Sequence, residues 1–323
     1  MIKVENLSRE YVIYEKESGF LIGKKKKKIC ALNQLNFTVD AGKNIGILGM
    51  NGAGKSTLIK LLCGIIAPTY GFIEVDEKYN PFDKKKDYLR KIALVSGNKT
   101  QMNYDLSARD NFHFLGAIYN VHRKAADQKA ENLAEQLGCL HLVDRQIRKM
   151  SFGERLKMEI IASLLHDPQY IFLDEPTIGL DVRTQDQLRK FIKGYNDGNK
   201  IIFITSHNLE DISEVCDNLL FIDHGNLSYY GGLEKFCEDY SMNRQIRIEV
   251  SLDCVDNIKQ YLSKRTSIYN IKVVDKIIIF EVAKNKLVEE IKIILDQFHE
   301  KILSFDMDDT GKSDILKKRI LEG

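Results

Sequence analysis

The chain has 323 residues, 44% of them hydrophobic and 29% charged, as in a soluble globular protein with room for two or three domains. Its 48 basic and 46 acidic residues leave a net charge of +2, too even a balance for nucleic acid to be the main partner. No run reaches the roughly 18 apolar residues of a membrane span, and the opening MIKVENLSREY lacks the apolar core of a signal peptide, so the chain is expected to stay in the cytosol.

Residues 1 to 14 alternate as a strand does, with Ile2, Val4 and Leu7 on one side. Tyr11 is either a base-stacking aromatic, a contact worth roughly 1–3 kcal/mol in nucleic-acid sites, or an ordinary strand tyrosine. Between Glu15 and Ile29 an apolar cluster, Phe20, Leu21 and Ile22, precedes five lysines, Lys24 to Lys28. Near an anionic leaflet each lysine contributes about 1 kcal/mol, so the segment is a candidate membrane-surface patch. A solvated loop of repelling charges is the other reading. Ala31 to Asp40 then reads as a strand.

Asn44 to Leu48 reads as a buried strand and Ser56 to Cys63 as a helix stopped by Gly64. Between them, GMNGAGKST (Gly49 to Thr57) has the spacing Gly49-x-x-x-x-Gly54-Lys55-Ser56 of a phosphate-binding P-loop, in the strand-to-helix context that the motif requires. The site expected is one for a nucleoside triphosphate. Backbone groups of Gly49, Asn51, Gly52, Ala53, Gly54 and Thr57, with the helix N-terminus, are placed to hold the β and γ phosphates; Lys55 adds charge and the Ser56 hydroxyl holds Mg²⁺. Kinases, GTPases and motor ATPases share such a loop, so the remaining motifs must select the chemistry.

Strands are expected at Phe72 to Val75 and at Ile92 to Val95, the second ending at Ser96-Gly97-Asn98. From Ser107 the pattern turns helical for about sixty residues. Ser107 and Asp110 resemble a capping box opening Ala108 to Val121, and Ala125 to Leu137 ends at Gly138, which makes an inserted helical subdomain of about residues 99–166. Ser151-Phe152-Gly153-Glu154 is a serine N-cap with Glu at N3, followed by the helix Arg155 to His166: a second anion-binding helix N-terminus. The buried strand Tyr170 to Leu173 ends in Asp174 and Glu175, and open α/β sheets bind ligands at such strand ends. There Asp174 suits the Mg²⁺ shell and Glu175 the positioning or deprotonation of a water. Ile201 to Ile204 ends in Thr205-Ser206-His207 before the helix Leu209 to Cys216. His207 is either a capped structural residue or a third phosphate-facing group, and the convergence of three strand ends favours the latter.

Past Glu238 the order is a strand Gln245 to Val250, a helix Asp253 to Leu262, strands Ile268 to Val274 and Lys276 to Val282 turned at Asp275, a helix Leu287 to Phe298 and a strand Ile302 to Met307. This β-α-β-β-α-β order reads as a ferredoxin-like accessory domain. It shows no metal-ligand cluster, nucleophile or glycine-rich loop, so regulation, dimer support and substrate sensing stay open. A last helix is expected at Ser313 to Leu321. Cys30, Cys63, Cys139, Cys216, Cys237 and Cys254 include no CxxC pair and are expected to be reduced, structural thiols.

With these residues assembled, the chain resembles the nucleotide-binding subunit of an ABC transporter, over about residues 1 to 235 and with the motifs in the family's order. The resemblance implies that Tyr11 is the adenine-stacking A-loop and Gly49 to Thr57 the Walker A loop. It makes Met150 to Glu154 the signature motif, with Ser151, Gly153 and Glu154 at the nucleotide. Asp174 and Glu175 complete Walker B, Gly179-Leu180-Asp181 is the D-loop, and His207 is the switch histidine. Asn98 stands where the family usually has a glutamine ligand of Mg²⁺ or water, with Gln101 three residues later. The signature reads MSFGE where LSGGQ is commonest, like exporter ATPases with SLGER-type signatures that serve separate permeases in drug, lipid or polysaccharide export.

The family pairs two cassettes head to tail, the signature helix of one covering ATP on the Walker A loop of the other. One set of motifs therefore implies a homodimer or a paired homologous subunit, on a permease at the cytoplasmic face of the membrane, hydrolysing ATP with Mg²⁺. A soluble ABC ATPase acting on nucleic acid or ribosomes is the other reading; the single cassette and the lack of a long coiled-coil insertion count against it. The fold expected is an α/β P-loop NTPase cassette (residues 1–238) and a small α+β ferredoxin-like domain (239–323).

Overall fold

The structure is a computed structural model that describes residues 1–16, 24–97, 100–233, 235–236, 243–283, 286–298 and 301–309. Phe20 to Ile22, Asn98, Cys237 and the helix expected at Ser313 to Leu321 lie outside the described residues. The chain divides into two compact units, Met1–Leu233 and Glu234–Gly323.

The first unit is built on a six-stranded sheet in the order β5-β6-β7-β3-β8-β9, with β3 Lys43–Leu48, β5 Ile92–Ser96, β6 Tyr170–Asp174, β7 Ile201–Ser206, β8 Asn218–Asp223 and β9 Asn226–Gly232. Neighbours run parallel except β8 and β9. β7 is buried at every position, as a parallel strand covered on both faces must be, which is why its sequence IIFITS reads as an unbroken apolar run rather than an alternation. A second sheet, β2-β1-β4, joins β1 Ile2–Lys16, β2 Lys24–Val39 and β4 Tyr70–Val75 antiparallel. Ile2, Val4 and Leu7 are buried, and the change of parity between Val4 and Leu7 is absorbed by an irregularity in the ladder where Asn6 is left-handed (φ 47°).

The lysine run departs from the expected loop. Lys24 to Lys28 open β2 and pair with Lys16 back to Val12, so the backbone groups that face β1 are satisfied by a ladder. The Lys28 ammonium bonds Glu10 at 3.0 Å. A lysine-bearing edge stays hydrated and resists further pairing, which reconciles repelling charges with a strand.

Helices complete the unit. They are α1 Lys55–Leu62, the short α2 Lys86–Leu89, α3 Ala108–Ile118, α4 Arg123–Gln136, α5 Phe152–Leu164, α6 Val182–Tyr195 and α7 Leu209–Val215. The Ser107 hydroxyl accepts from the Asp110 amide and starts α3. The helix ends three residues before the expected Val121, because Asn120 turns left-handed (φ 60°) and the Val121 amide reaches back to the Gly116 carbonyl at 2.8 Å.

The second unit holds β10 Asn243–Val250, α8 Val255–Ser263, β11 Ile268–Val274, β12 Ile277–Ala283, α9 Leu287–Phe298 and β13 Ile302–Asp309. That is the β-α-β-β-α-β order, and the sheet runs β11-β12-β10-β13 with antiparallel neighbours. Asp275 makes the hairpin turn with φ 54°. Ile246, Ile248, Ile278, Phe280 and Val282 of the sheet pack with Ile258, Leu262, Ile294 and Phe298 of the helices into a core of its own.

Candidate functional site

β3 delivers the chain to the P-loop and α1 takes it away. The glycines are fixed by crowding: at Gly54 (φ 112°) a Cβ would lie 2.6 Å from the Ala31 carbonyl oxygen, and at Gly49 it would lie 2.3 Å from that of Ile222. The loop is thus wedged between β2 and β8, while Gly52 (φ 85°) faces open space. The first turn of α1 points its N–H groups into this cradle, which favours an anion. Lys55 is buried. Its ammonium donates to the Gly49 carbonyl at 2.9 Å and the Met50 carbonyl at 3.1 Å, and stands 3.4 Å from Glu175 Oε1.

The neighbouring strand ends converge on the same place. Ser56 Oγ donates to Asp174 Oδ1 at 3.1 Å, and Thr205 Oγ1 donates to the same oxygen at 2.7 Å. The Glu175 amide in turn donates to Thr205 Oγ1 at 2.8 Å. Glu175 is left-handed (φ 53°), a costly conformation for a non-glycine residue and one found at functional sites. His207 Nδ1 lies 3.9 Å from Glu175 Oε1. The segments that follow β3, β6 and β7, adjacent in the sheet, therefore bring Lys55, Ser56, Asp174 and Glu175 into one network of hydrogen bonds and ion pairs, with His207 beside Glu175.

Ser56 and Asp174 offer two hard oxygens, the donor type Mg²⁺ takes from protein while phosphates and water complete its shell. No group of three His, Cys, Asp or Glu side chains suited to a metal occurs among the described residues. A Mg²⁺ held by one hydroxyl, one carboxylate and phosphate oxygens needs none, so the residues fit this ion.

Tyr11 lies on β1 opposite Ile29, two residues from the Ala31 carbonyl that crowds Gly54, so it belongs to the P-loop side of this sheet. The Arg9 guanidinium sits 4.7 Å over its ring, and the Arg9 Nη1 donates to the Ala67 carbonyl.

The signature residues form a separate place. Ser151 caps α5 with both halves of the capping box: its amide donates to Glu154 Oε2 at 2.7 Å and its Oγ accepts from the Glu154 amide at 3.3 Å. The Ser151 amide holds the Glu154 carboxyl below its ordinary range. Gly153 packs on the D-loop, where a Cβ would come 3.3 Å from Leu180, and the Phe152 ring lies against Gly179. Asp181 caps α6, accepting from the Thr184 amide at 3.0 Å and the Thr184 hydroxyl at 2.7 Å. Among the described residues no hydrogen bond or ion pair joins Ser151, Gly153, Glu154 or Asp181 to Lys55, Ser56, Asp174, Glu175 or His207.

Three participants have no warning in the motifs. Thr205 ties Asp174 to Glu175, and Asp211 gathers the segments behind them. Glu159, buried on α5, accepts the Gln101 amide at 3.2 Å, and burial raises its carboxyl to about 7. The Gln101 side chain donates back to the Leu94 carbonyl at 3.1 Å. Each looks like an ordinary polar residue in sequence; the only hint at Glu159 is an acid inside an otherwise apolar helical stripe.

Comparison with known proteins bears on the same residues. A family model described as "ABC transporter" matches residues 32–178. The ABC transporter ATP-binding protein NatA of Bacillus subtilis is 31% identical over 214 residues, 66% of this chain and 87% of NatA. The bacitracin transport ATP-binding protein BcrA of Bacillus licheniformis is 35% identical over 198 residues, 61% of this chain and 63% of BcrA. Among solved structures, cbiO1 of Clostridium perfringens, part of the ABC transporter complex cbiONQ, aligns with a TM-score of 0.60 at 27% identity, covering 74% of this chain and 91% of its own. The dimeric cassette MJ0796 with ADP and Pi aligns at 0.59 and 23% identity, covering 72% and 99%, which shows the shared fold.

Proposed function

The chain belongs to the ABC transporter family, as an ATP-binding subunit with ATPase activity, and from that premise we propose that it powers export through a separate membrane permease by ATP-driven closure of a cassette dimer. The observation that carries the reading is the constellation around Glu175, in which Lys55 and His207 both face one carboxylate oxygen at 3.4 and 3.9 Å. No helix among the described residues is long and apolar enough to cross a membrane, which agrees with a permease carried on another chain. Relatives named for bacitracin transport and doxorubicin resistance support drug-like cargo.

In this reading Lys55 exchanges its loop carbonyls for the β and γ phosphates, and the amides of Gly49 to Thr57 hold the rest of the chain of phosphates. Ser56 and Asp174 would hold Mg²⁺, with Asn98 as the further ligand that the resemblance implies, and the bound ion would supply charge neutralisation for phosphoryl transfer. Released from Lys55, Glu175 orients or deprotonates the attacking water, and His207 approaches the γ-phosphate from the next strand. Tyr11, braced by Arg9, stacks on adenine. Ser151 and Gly153 offer a capped helix N-terminus to the γ-phosphate on a second subunit, with Glu154 acting through the cap and Asp181 setting the D-loop between them. Lys24 to Lys28 provide a basic edge for the membrane surface or an acidic partner loop, and residues 239–323 form an accessory interaction domain.

The test is Glu175→Gln, which keeps shape and hydrogen bonding while removing the base. It should bind ATP, accumulate as a closed dimer and turn over about 10² or more slower; wild-type turnover would overturn the assignment. The membrane protein that co-purifies with this variant in ATP identifies the permease.

A further inference from the structure

Asp211, on α7, is 5% exposed and its carboxylate serves four donors. Oδ2 accepts the Thr177 hydroxyl at 2.7 Å and the Ser206 hydroxyl at 2.9 Å. Oδ1 accepts Arg189 Nε at 3.0 Å and Nη2 at 2.6 Å. The three residues that supply these donors belong to different segments of the candidate site. Thr177 follows Glu175 by two residues, Ser206 immediately precedes His207, and Arg189 lies on α6, the helix that Asp181 caps. We propose that Asp211 is a positioning residue for hydrolysis, its single carboxylate setting the Glu175 segment, the His207 segment and the D-loop helix against one another. The proposal rests on the roles given above to Glu175 and His207.

Two carboxylate oxygens accept about four hydrogen bonds, and here all are used. Arg189 Nε and Nη2 both anchor Oδ1 while the Thr177 and Ser206 hydroxyls meet on Oδ2, so the carboxylate is held through both oxygens and the two hydroxyls share one acceptor. Arg189 is itself buried and steadied by Asp186 at 3.1 Å and Glu214 at 3.5 Å. Further ties converge on the same segments. Gln185 of α6 donates to the Thr177 carbonyl at 3.1 Å. Ser206 Oγ, while donating to Asp211, accepts the Asn208 amide at 2.9 Å, so the residues on both sides of His207 are tied to one hydroxyl. Thr205 meanwhile bonds Asp174 and the Glu175 amide. A displacement of about 1 Å at a catalytic group costs up to 10² in rate, so a shared reference point for base, switch histidine and D-loop acts on turnover rather than on ATP capture.

The informative variant is Thr177→Val with Ser206→Ala in the full-length chain. It removes the two hydroxyls and leaves the Arg189–Asp211 pair, and with it the fold, in place. Expected is a fall in kcat of about tenfold, with the KM for ATP and the melting temperature close to wild type. The conservative variant Thr177→Ser with Ser206 intact, which keeps both hydroxyls, should turn over at the wild-type level. Turnover equal to wild type in the double variant, or a loss that tracks a fall in melting temperature and is shared by Thr177→Ser, overturns the proposal. Glu175→Gln is run beside it. If that variant is inactive and the double variant is not impaired, the proposal fails alone; if Glu175→Gln turns over normally, the reading of Glu175 fails and the proposal with it.

Discussion

The two anion-binding helix N-termini of the cassette are built in opposite ways. At α1 Gly52 faces open space, and the nearby Lys55 ammonium rests on two carbonyls that a phosphate readily replaces. At α5 the cap is satisfied within itself: Ser151 and Glu154 bond each other, and Gly153 and Phe152 lean on the D-loop. The first is a receptacle surrounded by catalytic groups from adjacent strands; the second is a finished surface with no such groups bonded to it. One nucleotide does not need two cradles in one chain, and the contrast supports the proposal that the second serves the nucleotide of another subunit.

The largest expected effect comes from emptying the receptacle. Lys55→Ala should lower turnover by about 10² or more and weaken ATP binding, because the charge facing the phosphates is lost and Glu175 loses its partner; titration with a fluorescent ATP analogue beside a phosphate-release assay reads both. Binding and turnover both near wild type would break the contrast. Tyr11→Ala should raise the KM for ATP about tenfold with kcat retained, and Tyr11→Phe should not, since stacking is worth roughly 1–3 kcal/mol and needs no hydroxyl.

The smallest effect concerns α5 itself. Burial raises Glu159 to about 7, so the folded chain holds a proton there that the unfolded chain gives up near the ordinary carboxylate range. Such a group costs stability progressively as pH rises from about 4.5 to 7 and above. Glu159→Gln keeps an acceptor for the Gln101 amide without the charge. It should be more stable than wild type at pH 8 by about 1–3 kcal/mol, read as a higher melting temperature, and the gap should close at pH 5. A gap that does not change with pH would remove the buried charge from the picture.

How far the sequence carries can be seen residue by residue. Gly49 and Gly54 are legible because the motif spacing reflects backbone crowding that only glycine tolerates. β6 and β7 are legible as continuous apolar runs, and the β-α-β-β-α-β order of the second unit follows from period changes between strand and helix. Lys24 to Lys28 mislead, since like charges argue against a strand until β1 supplies the ladder partners. Thr205, Asp211 and Glu159 are illegible for a different reason: their partners are 31, 34 and 58 residues away, and no local pattern announces a bond over such distances.

The division of labour between the two helix N-termini is tested most directly by mixing two inactive variants. Lys55→Ala disables the receptacle and keeps the signature. Ser151→Asp keeps an N-cap, because aspartate caps as well as serine, but sets a carboxylate where the γ-phosphate would arrive. If Ser151 serves a partner's nucleotide, the mixed dimer contains one intact site, and an equimolar mixture should recover about a quarter of wild-type turnover, from half the dimers with one site in each. A mixture no more active than its separate components, while ATP still drives mixed dimers to form, would contradict the account.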